Sequence, residues 1–318
     1  MLCLLKFQRR RAPQSGARNS AAEKLRRTSR ILFKTDSREG KGLIAKMRIK
    51  KSKVCEVVKK IPKGSFLSYK ETAKMAGNPR AYRFVANLMA KNKDKSAPCH
   101  RVIKNNYEVG GYKGSFKNIW RKVALLLKEG AVGVMPTDTI YGICGSALNK
   151  KTVEKIYKLR KRKPEKQMII LISSLSDLKN FEIKLKLWQK KILSRIWPGP
   201  AGPVCRRAGK VSMVLPLKAG LRQRSVKTLA FRIPKDKELI EILKISGPLA
   251  APSANWEGCS PAKTISEARK YFKDKVFYYN KGKITGRPST LIDLTQKPIK
   301  ILRQGRNYNK IRKILYQC

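Results

Sequence analysis

Beyond residue 130 the chain repeats one local pattern, a short apolar or alternating run followed by a longer amphipathic stretch. The runs are GAVGVMPTDTIYGI, MIILISS, KVSMVLPL, TLAFRIP, LAAPSAN, STLIDLT and IKILRQG. Rich in Val, Ile and Leu and bounded by Gly, Pro or Ser, they read as strands. Amphipathic helices are predicted between several of them, over 150–162, 176–196, 236–245 and 264–273. Thr264 and Glu267 form the T-x-x-E box that starts the last of these. Strands and helices alternating in this way pack as layers, so the fold class is α/β.

Before that region the style differs. IPKGSFLSYKETAKMAGNPRAYRFVANLMAKN reads as two helices joined by a tight turn. Ser68 and Glu71 make a capping box, Gly77 ends the first helix, and Asn78 with Pro79 opens the second. This is the layout of a helix-turn-helix unit, and equally of a plain helical hairpin. The boundary with the following region falls near residues 115–119, where NIWRKVALLLKEG can close one domain or open the next.

Residues 1–46 are rich in Arg, Ser, Ala and Lys without an apolar period. Two readings stand for them, a transit segment or a disordered basic extension upstream of Met47; the second is expected. The domain plan is therefore 1–46 extension, 47–116 helical module and 117–318 α/β module.

The 318 residues carry 75 Lys and Arg against 20 Asp and Glu, a net charge of +55. Such an excess points to polyanion partners, because cations placed on phosphates release condensed counterions. An anionic membrane surface competes as the partner. No run reaches the ~20 apolar residues of a membrane span; the longest nearly uncharged stretch, 130–149, is interrupted by Asp138. Cysteines at 3, 55, 99, 144, 205, 259 and 318 form no CxxC pair. With a single histidine in the chain, no metal site is expected. Reduced thiols and a cytoplasmic location fit this usage.

That histidine lies in SAPCHRV, directly after Cys99 and before Arg101. A base or cation beside a thiol raises its thiolate fraction, so His100 and Arg101 can activate Cys99. PCHRV, followed by GGYKG and preceded by IPKG, SY and an Arg and Asn further on, resembles the active-site domain of O6-alkylguanine-DNA alkyltransferases over about 54–114. The resemblance implies that Cys99 accepts the alkyl group and that His100 helps deprotonate it through water. Tyr69 and Arg83 would help rotate the damaged nucleotide out of duplex DNA, and Asn92 would be the hinge asparagine. Base flipping and a grip on phosphates agree with the charge. The family's RAVG stands here as Arg83-Phe84-Val85-Ala86, with a bulky Phe84 where groove approach favours small residues. The family's N-terminal domain is replaced by the basic extension. The glutamate that completes its Cys-His-Glu relay has no clean counterpart; Glu129 is nearest and lies slightly too far along.

The α/β region lacks a G-x-x-x-x-G-K-[ST] loop. It offers hydroxyls and cations at strand ends: PTDTIYG, RKRKPEK, TLAFRIP, PSAN, GRPSTLID and ILRQG. In this order they resemble the threonylcarbamoyl-AMP synthase (YrdC-like) family over about 118–306. The resemblance implies a twisted mixed sheet with flanking helices. It also implies a reaction joining L-threonine, bicarbonate and ATP with Mg²⁺, for a tRNA modification. Thr139, Arg232 and Ser289 would contact threonine. Arg160, Arg162, Lys166, Thr228, Ser253, Asn255, Ser260 and Arg303 would hold ATP. The family's K-x-R is Arg160-Lys161-Arg162 here, Lys163 and Gln167 stand where prolines are common, and AGPVCRRAG (201–209) looks inserted after WPGP. The expected protein is a synthase fused to an alkyltransferase module, with tRNA and the threonylcarbamoyl-transfer machinery as further partners. A nucleic-acid binder that keeps both folds without chemistry is the alternative.

Overall fold

The capping box forms as the spacing predicts. Glu71 N donates to Ser68 Oγ at 3.1 Å and Ser68 N to Glu71 Oε2 at 2.6 Å, starting α2 (Tyr69–Met75). The computed structural model describes residues 49–198, 201–206, 228–295 and 297–316. The extension 1–46 and the run KVSMVLPL fall outside the described residues. Preceding α2 are α1 (Lys51–Lys59) and β1 (Leu67–Ser68). Gly77, at φ 101°, ends the turn in a conformation that costs glycine nothing. Asn78 caps a 3₁₀ turn, Pro79–Ala81, before α3 (Tyr82–Lys91), so it opens the second helix one turn earlier than its α-helical part. Cys99–Arg101 form a further 3₁₀ turn leading into β2 (Val102–Ile103), which pairs parallel with β1. Val54, Val58, Ala73, Val85, Met89 and Val102 are the heart of this module's core.

The α/β region is a mixed nine-stranded sheet among the described residues. Its first hairpin comes from one apolar run split in two, β3 (Gly133–Pro136) and β4 (Tyr141–Ser146), paired antiparallel. Thr137 divides them. Its N–H and Oγ1 both bond Ile140 O, at 3.0 and 2.6 Å, and close the turn. The remaining strands are β5 (Ile169–Leu171), β6 (Ala201–Arg206), β7 (Thr228–Arg232), β8 (Leu249–Ala250), β9 (Phe277–Tyr278), β10 (Thr290–Asp293) and β11 (Lys300–Arg303). Their order is β11-β10-β6-β7-β5-β8-β4-β3-β9. Residues 201–206, read from the sequence as the start of an insertion, are therefore a strand inside the sheet, parallel to β10 and antiparallel to β7.

Flanking helices are α4 (Ile119–Lys128), α5 (Lys150–Leu159), α6 (Leu187–Ile196), α7 (Lys237–Ser246), α8 (Ile265–Phe272) and α9 (Tyr308–Tyr316). The single helix expected over 176–196 is broken. A 3₁₀ segment, Leu175–Phe181, ends at Glu182 with φ 53°, and α6 starts afresh after Lys186. Among the described residues no helix is long and apolar enough to cross a membrane.

The core does not divide at residues 116/117. Ile103 and Val109 of the helical module share one buried cluster with Val123, Leu126 and Leu127 of α4, with Leu239 and Leu243 of α7, and with Phe277. The backbone joins there too, since Val109 N donates to Tyr278 O at 2.8 Å and Tyr278 N to Tyr107 O at 2.9 Å, prolonging the sheet past β9. Arg269 adds an ion pair to Glu108 at 3.2 Å.

Candidate active site

Four arginines, remote in sequence, meet in the α/β region. Arg160 follows α5, Arg162 lies two residues on, Arg232 ends β7 and Arg303 ends β11. With Thr137, Thr139, Ser253 and Ser289 they line a cavity of about 120 Å³. Each guanidinium is fixed by the fold. Arg160 donates from Nε to Asn255 O (3.1 Å) and from Nη2 to Ser253 Oγ (3.2 Å), while its Nη1 is buried without a protein partner. Arg232 donates from Nη2 to Asp138 Oδ1 (2.6 Å) and from Nη1 to Thr139 Oγ1 (3.2 Å); its Nε is likewise unpartnered. Arg162 reaches Lys166 O at 3.1 Å and Gln167 O at 2.9 Å, and Arg303 reaches Ser289 O at 2.9 Å.

Burial lowers Arg160 to about 10, helped by the neighbouring Arg162. Burial also lowers Arg232, against the opposing pull of Asp138. Both still carry charge at neutral pH, so unpartnered N–H groups and fixed cations together suit carboxylate and phosphate oxygens.

Of the expected residues, Thr139, Arg232 and Ser289 line the cavity together with Arg160, Arg162, Ser253 and Arg303. Lys166 does not; its ammonium is held by Glu257. Asn255 is buried behind Arg160, with Nδ2 donating to Trp256 O and Cys259 O. Ser260 is exposed, its carbonyl accepting from Tyr271 Oη at 3.0 Å. Thr228 starts β7, and its side chain lies outside what is described. Sequence reasoning missed Asp138 as the partner of Arg232. The available signal was an acid between two threonines in a chain so short of acids.

The turn carrying Asp138 and Thr139 is clamped from behind. Arg306 Nη1 donates to Asp138 O at 2.8 Å, and Gly286 packs so close that an added Cβ would stand 1.8 Å from Thr139 O. Gly286→Ala is expected to cost about 1–3 kcal/mol through overpacking. It should also weaken ligand protection of the cavity, both effects being readable in thermal melts with and without threonine.

A second constellation lies in the helical module. Asn92, the C-cap of α3, donates from Nδ2 to Cys99 Sγ at 3.1 Å. His100 Nε2 stands 2.9 Å from Glu129 Oε2. Arg101 clamps the same carboxylate from Nε and Nη2, each at 2.7 Å, and donates from Nη1 to Ile61 O at 2.6 Å. Glu129 thus has the relay position, contrary to the expectation that it lies too far along. The rigid α4 delivers it, packed through Val123, Leu126 and Leu127. Cys99, His100, Glu129, Asn92, Tyr112 and Lys113 face one open pocket of about 1080 Å³.

Burial keeps His100 below its ordinary value, partly offset by Glu129. Burial raises Glu129, but hydrogen bonds from Arg101 and His100 outweigh it and leave the carboxyl low. Tyr69 is raised by burial and by the nearby Cys99. Arg83 is exposed, its guanidinium 6.0 Å from the Tyr82 ring centroid. Lys122, also missed, is buried on α4, donates to Val102 O at 2.5 Å and is pushed down by burial to about 8.

Comparison with known proteins gives two family matches. Residues 50–131 match the model described as 6-O-methylguanine DNA methyltransferase, DNA binding domain. Residues 125–305 match the Sua5, YciO and YrdC model, described as telomere recombination. Residues 125–131, the end of α4 and Glu129, fall in both matches.

The threonylcarbamoyl-AMP synthase of Pyrococcus abyssi is 30% identical over 188 residues, 58% of this chain and 53% of the relative. A putative threonylcarbamoyl-AMP synthase of Methanocaldococcus jannaschii is 31% identical over 192 residues, 58% of this chain and 86% of the relative. The crystal structure of P. abyssi Sua5 complexed with L-threonine superposes with a TM-score of 0.55 at 28% identity, over 62% of this chain and 57% of that one. E. coli YciO shares the fold, with a TM-score of 0.52 at 20% identity over 60% of this chain and 90% of its own. The chain spans about half the length of the first two curated relatives. The Sua5, YciO and YrdC match alone takes in more than half of the 318 residues, and the chain belongs to that family.

Proposed function

We propose that the α/β module, residues 117–318, is an L-threonylcarbamoyladenylate synthase and that residues 47–116, completed by Glu129, transfer alkyl groups from DNA to Cys99. The observation that carries the first claim is the convergence of four arginines and four hydroxyls on one cavity. In this reading Thr139, Arg232 and Ser289 hold the threonine carboxylate and hydroxyl. Arg160, Arg162, Ser253 and Arg303 hold the ATP phosphates, with Lys166, Thr228, Asn255 and Ser260 at the periphery. Threonine and bicarbonate supply a carbamate whose oxygen attacks the α-phosphorus; the bond to pyrophosphate breaks and pyrophosphate leaves with the electron pair. The protein needs no nucleophile of its own. It aligns the reactants and balances charge developing on the phosphates.

Among the described residues no three acidic, His or Cys side chains cluster as a metal site. Asp138, the acid at the cavity, is committed to Arg232. This donor set suits Mg²⁺ carried on the triphosphate rather than caged by protein. The product would pass to the tRNA-modifying machinery in the cytoplasm.

The test uses the full chain and labelled ATP. Pyrophosphate release is expected only when threonine and bicarbonate are both present. Absence of release, or release indifferent to threonine, would favour a non-catalytic nucleic-acid binder and end the synthase reading.

For the helical module, the thiol proton passes to His100 through water, Sγ attacks the alkyl carbon, and the carbon–O6 bond breaks. The guanine leaves as an anion that takes up a proton. Glu129 holds a proton on Nε2 of His100, leaving Nδ1 as the acceptor. Label from O6-alkylguanine duplex should move to the protein and vanish in Cys99→Ala.

A further inference from the structure

Phe84 stands out on the surface of the helical module. It is 42% exposed at the first turn of α3, one residue after the exposed Arg83. The opposite face of the helix is spent on the core through Val85 and Met89. A large aromatic there gains nothing from burial, so the fold gives no reason for it.

Its position relative to the thiol does give one. Phe84, Leu88 and Lys91 recur at i, i+4 and i+7, so they run along one face of α3. The helix then stops at Asn92, whose amide touches Cys99 Sγ at 3.1 Å. Eight residues at a 1.5 Å rise place the Phe84 backbone about 12 Å along the axis from that contact. This is the scale of a DNA groove. A base delivered to Cys99 must leave the stack, and the gap it leaves exposes the faces of its neighbours to water. Apolar side chains inserted at base steps offset that cost and kink the duplex.

The surroundings suit a phosphate backbone. Arg80, Arg83, Lys91, Lys93 and Lys95 are exposed here, while the nearby Asp94 is engaged by Lys59 and Ser96.

Resting on the alkyl-transfer reading, we propose that Phe84 is a positioning residue, the wedge that unstacks duplex DNA and fills the gap left by the extruded guanine. Arg83 beside it supplies charge. The departure from a small residue at this place then sets substrate preference. The protein would favour duplex over single-stranded or free-base substrates.

The test compares two probes on the full chain, O6-benzylguanine as free base and the same base within a duplex, with Cys99 labelling followed by intact mass. Phe84→Ala is expected to slow labelling from the duplex about 10- to 100-fold and to leave free-base labelling unchanged, with Phe84→Trp restoring the duplex rate. An unchanged duplex to free-base ratio in Phe84→Ala overturns the proposal. A duplex carrying 2-aminopurine beside the target reports unstacking without chemistry. Its fluorescence should rise on binding wild-type protein and not on binding Phe84→Ala. If wild type labels with neither probe, the alkyl-transfer reading fails. The 2-aminopurine signal still decides the wedge, which is lost if the rise does not depend on Phe84.

Discussion

Arg232→Lys is expected to fold but to raise the threonine concentration needed for half-maximal pyrophosphate release by 10- to 100-fold. The ATP requirement should stay nearly unchanged. Arg232 is 4% exposed and divides its guanidinium between Asp138 and Thr139. Lysine keeps the charge near Asp138 but cannot span both partners and the ligand with one compact ammonium. The lost charge-assisted bond to a carboxylate is worth about 1.5–3 kcal/mol, which gives that fold-change. Arg232→Ala goes further. It leaves the Asp138 carboxylate buried against a backbone N–H at 3.4 Å, and breaking such a pair costs about 3–5 kcal/mol of stability. The lysine variant, not the alanine one, therefore separates binding from folding. Should Arg232→Lys shift the threonine and ATP dependences equally, Arg232 does not serve the threonine end of the cavity.

The parts of this site legible in the sequence are those whose local chemistry names them. Arg160 and Arg162 stand in a basic run after an amphipathic helix, and Ser253 and Ser289 follow strand-like runs. All four line the cavity because strand ends of an α/β sheet gather at shared edges. Asp138 was hidden because its role depends on a partner 94 residues away, and no local pattern encodes that. β9 was hidden because two residues, Phe277 and Tyr278, show no periodicity; its pairing with β3 and with 107–109 defines it. The break after Phe181 was hidden because a helical period runs through Glu182, where a left-handed φ of 53° interrupts it. Residues 201–206 read as an insertion because Gly202, Pro203 and Arg206 spoil the alternation. Hydrogen bonding on both sides, to β7 and β10, makes them a strand nonetheless.

Glu129 is where counting along the chain misled most, and it carries the second large effect. Glu129→Gln is expected to lower the rate of Cys99 alkylation by about 10²–10⁴, the usual worth of acid–base assistance. It should also move the acid limb of the pH profile. The sign follows from His100. Burial holds it below its ordinary value of 6.5, and Glu129 pulls it partway back. His100 is thus neutral and able to accept a proton at neutral pH. Its contribution to stability is fully present above the ordinary value and is lost as pH falls through the lower folded value. Removing the Glu129 charge removes the upward pull, so the acid limb in Glu129→Gln lies at lower pH than in wild type, beneath a lower plateau. A limb displaced to higher pH, or a plateau left untouched, would detach Glu129 from the relay. The amide is the informative replacement. Alanine would strip Arg101, itself 8% exposed, of its two 2.7 Å bonds and leave a buried cation with Ile61 O alone. Glu129 also closes α4, whose Leu126 and Leu127 pack with Leu239 and Leu243 of the synthase module. A chain ending at residue 116 keeps Cys99 and His100 but not the carboxylate or the helix that delivers it. Its alkyl transfer is expected to fall at least as far as that of Glu129→Gln, measured with the same free-base probe.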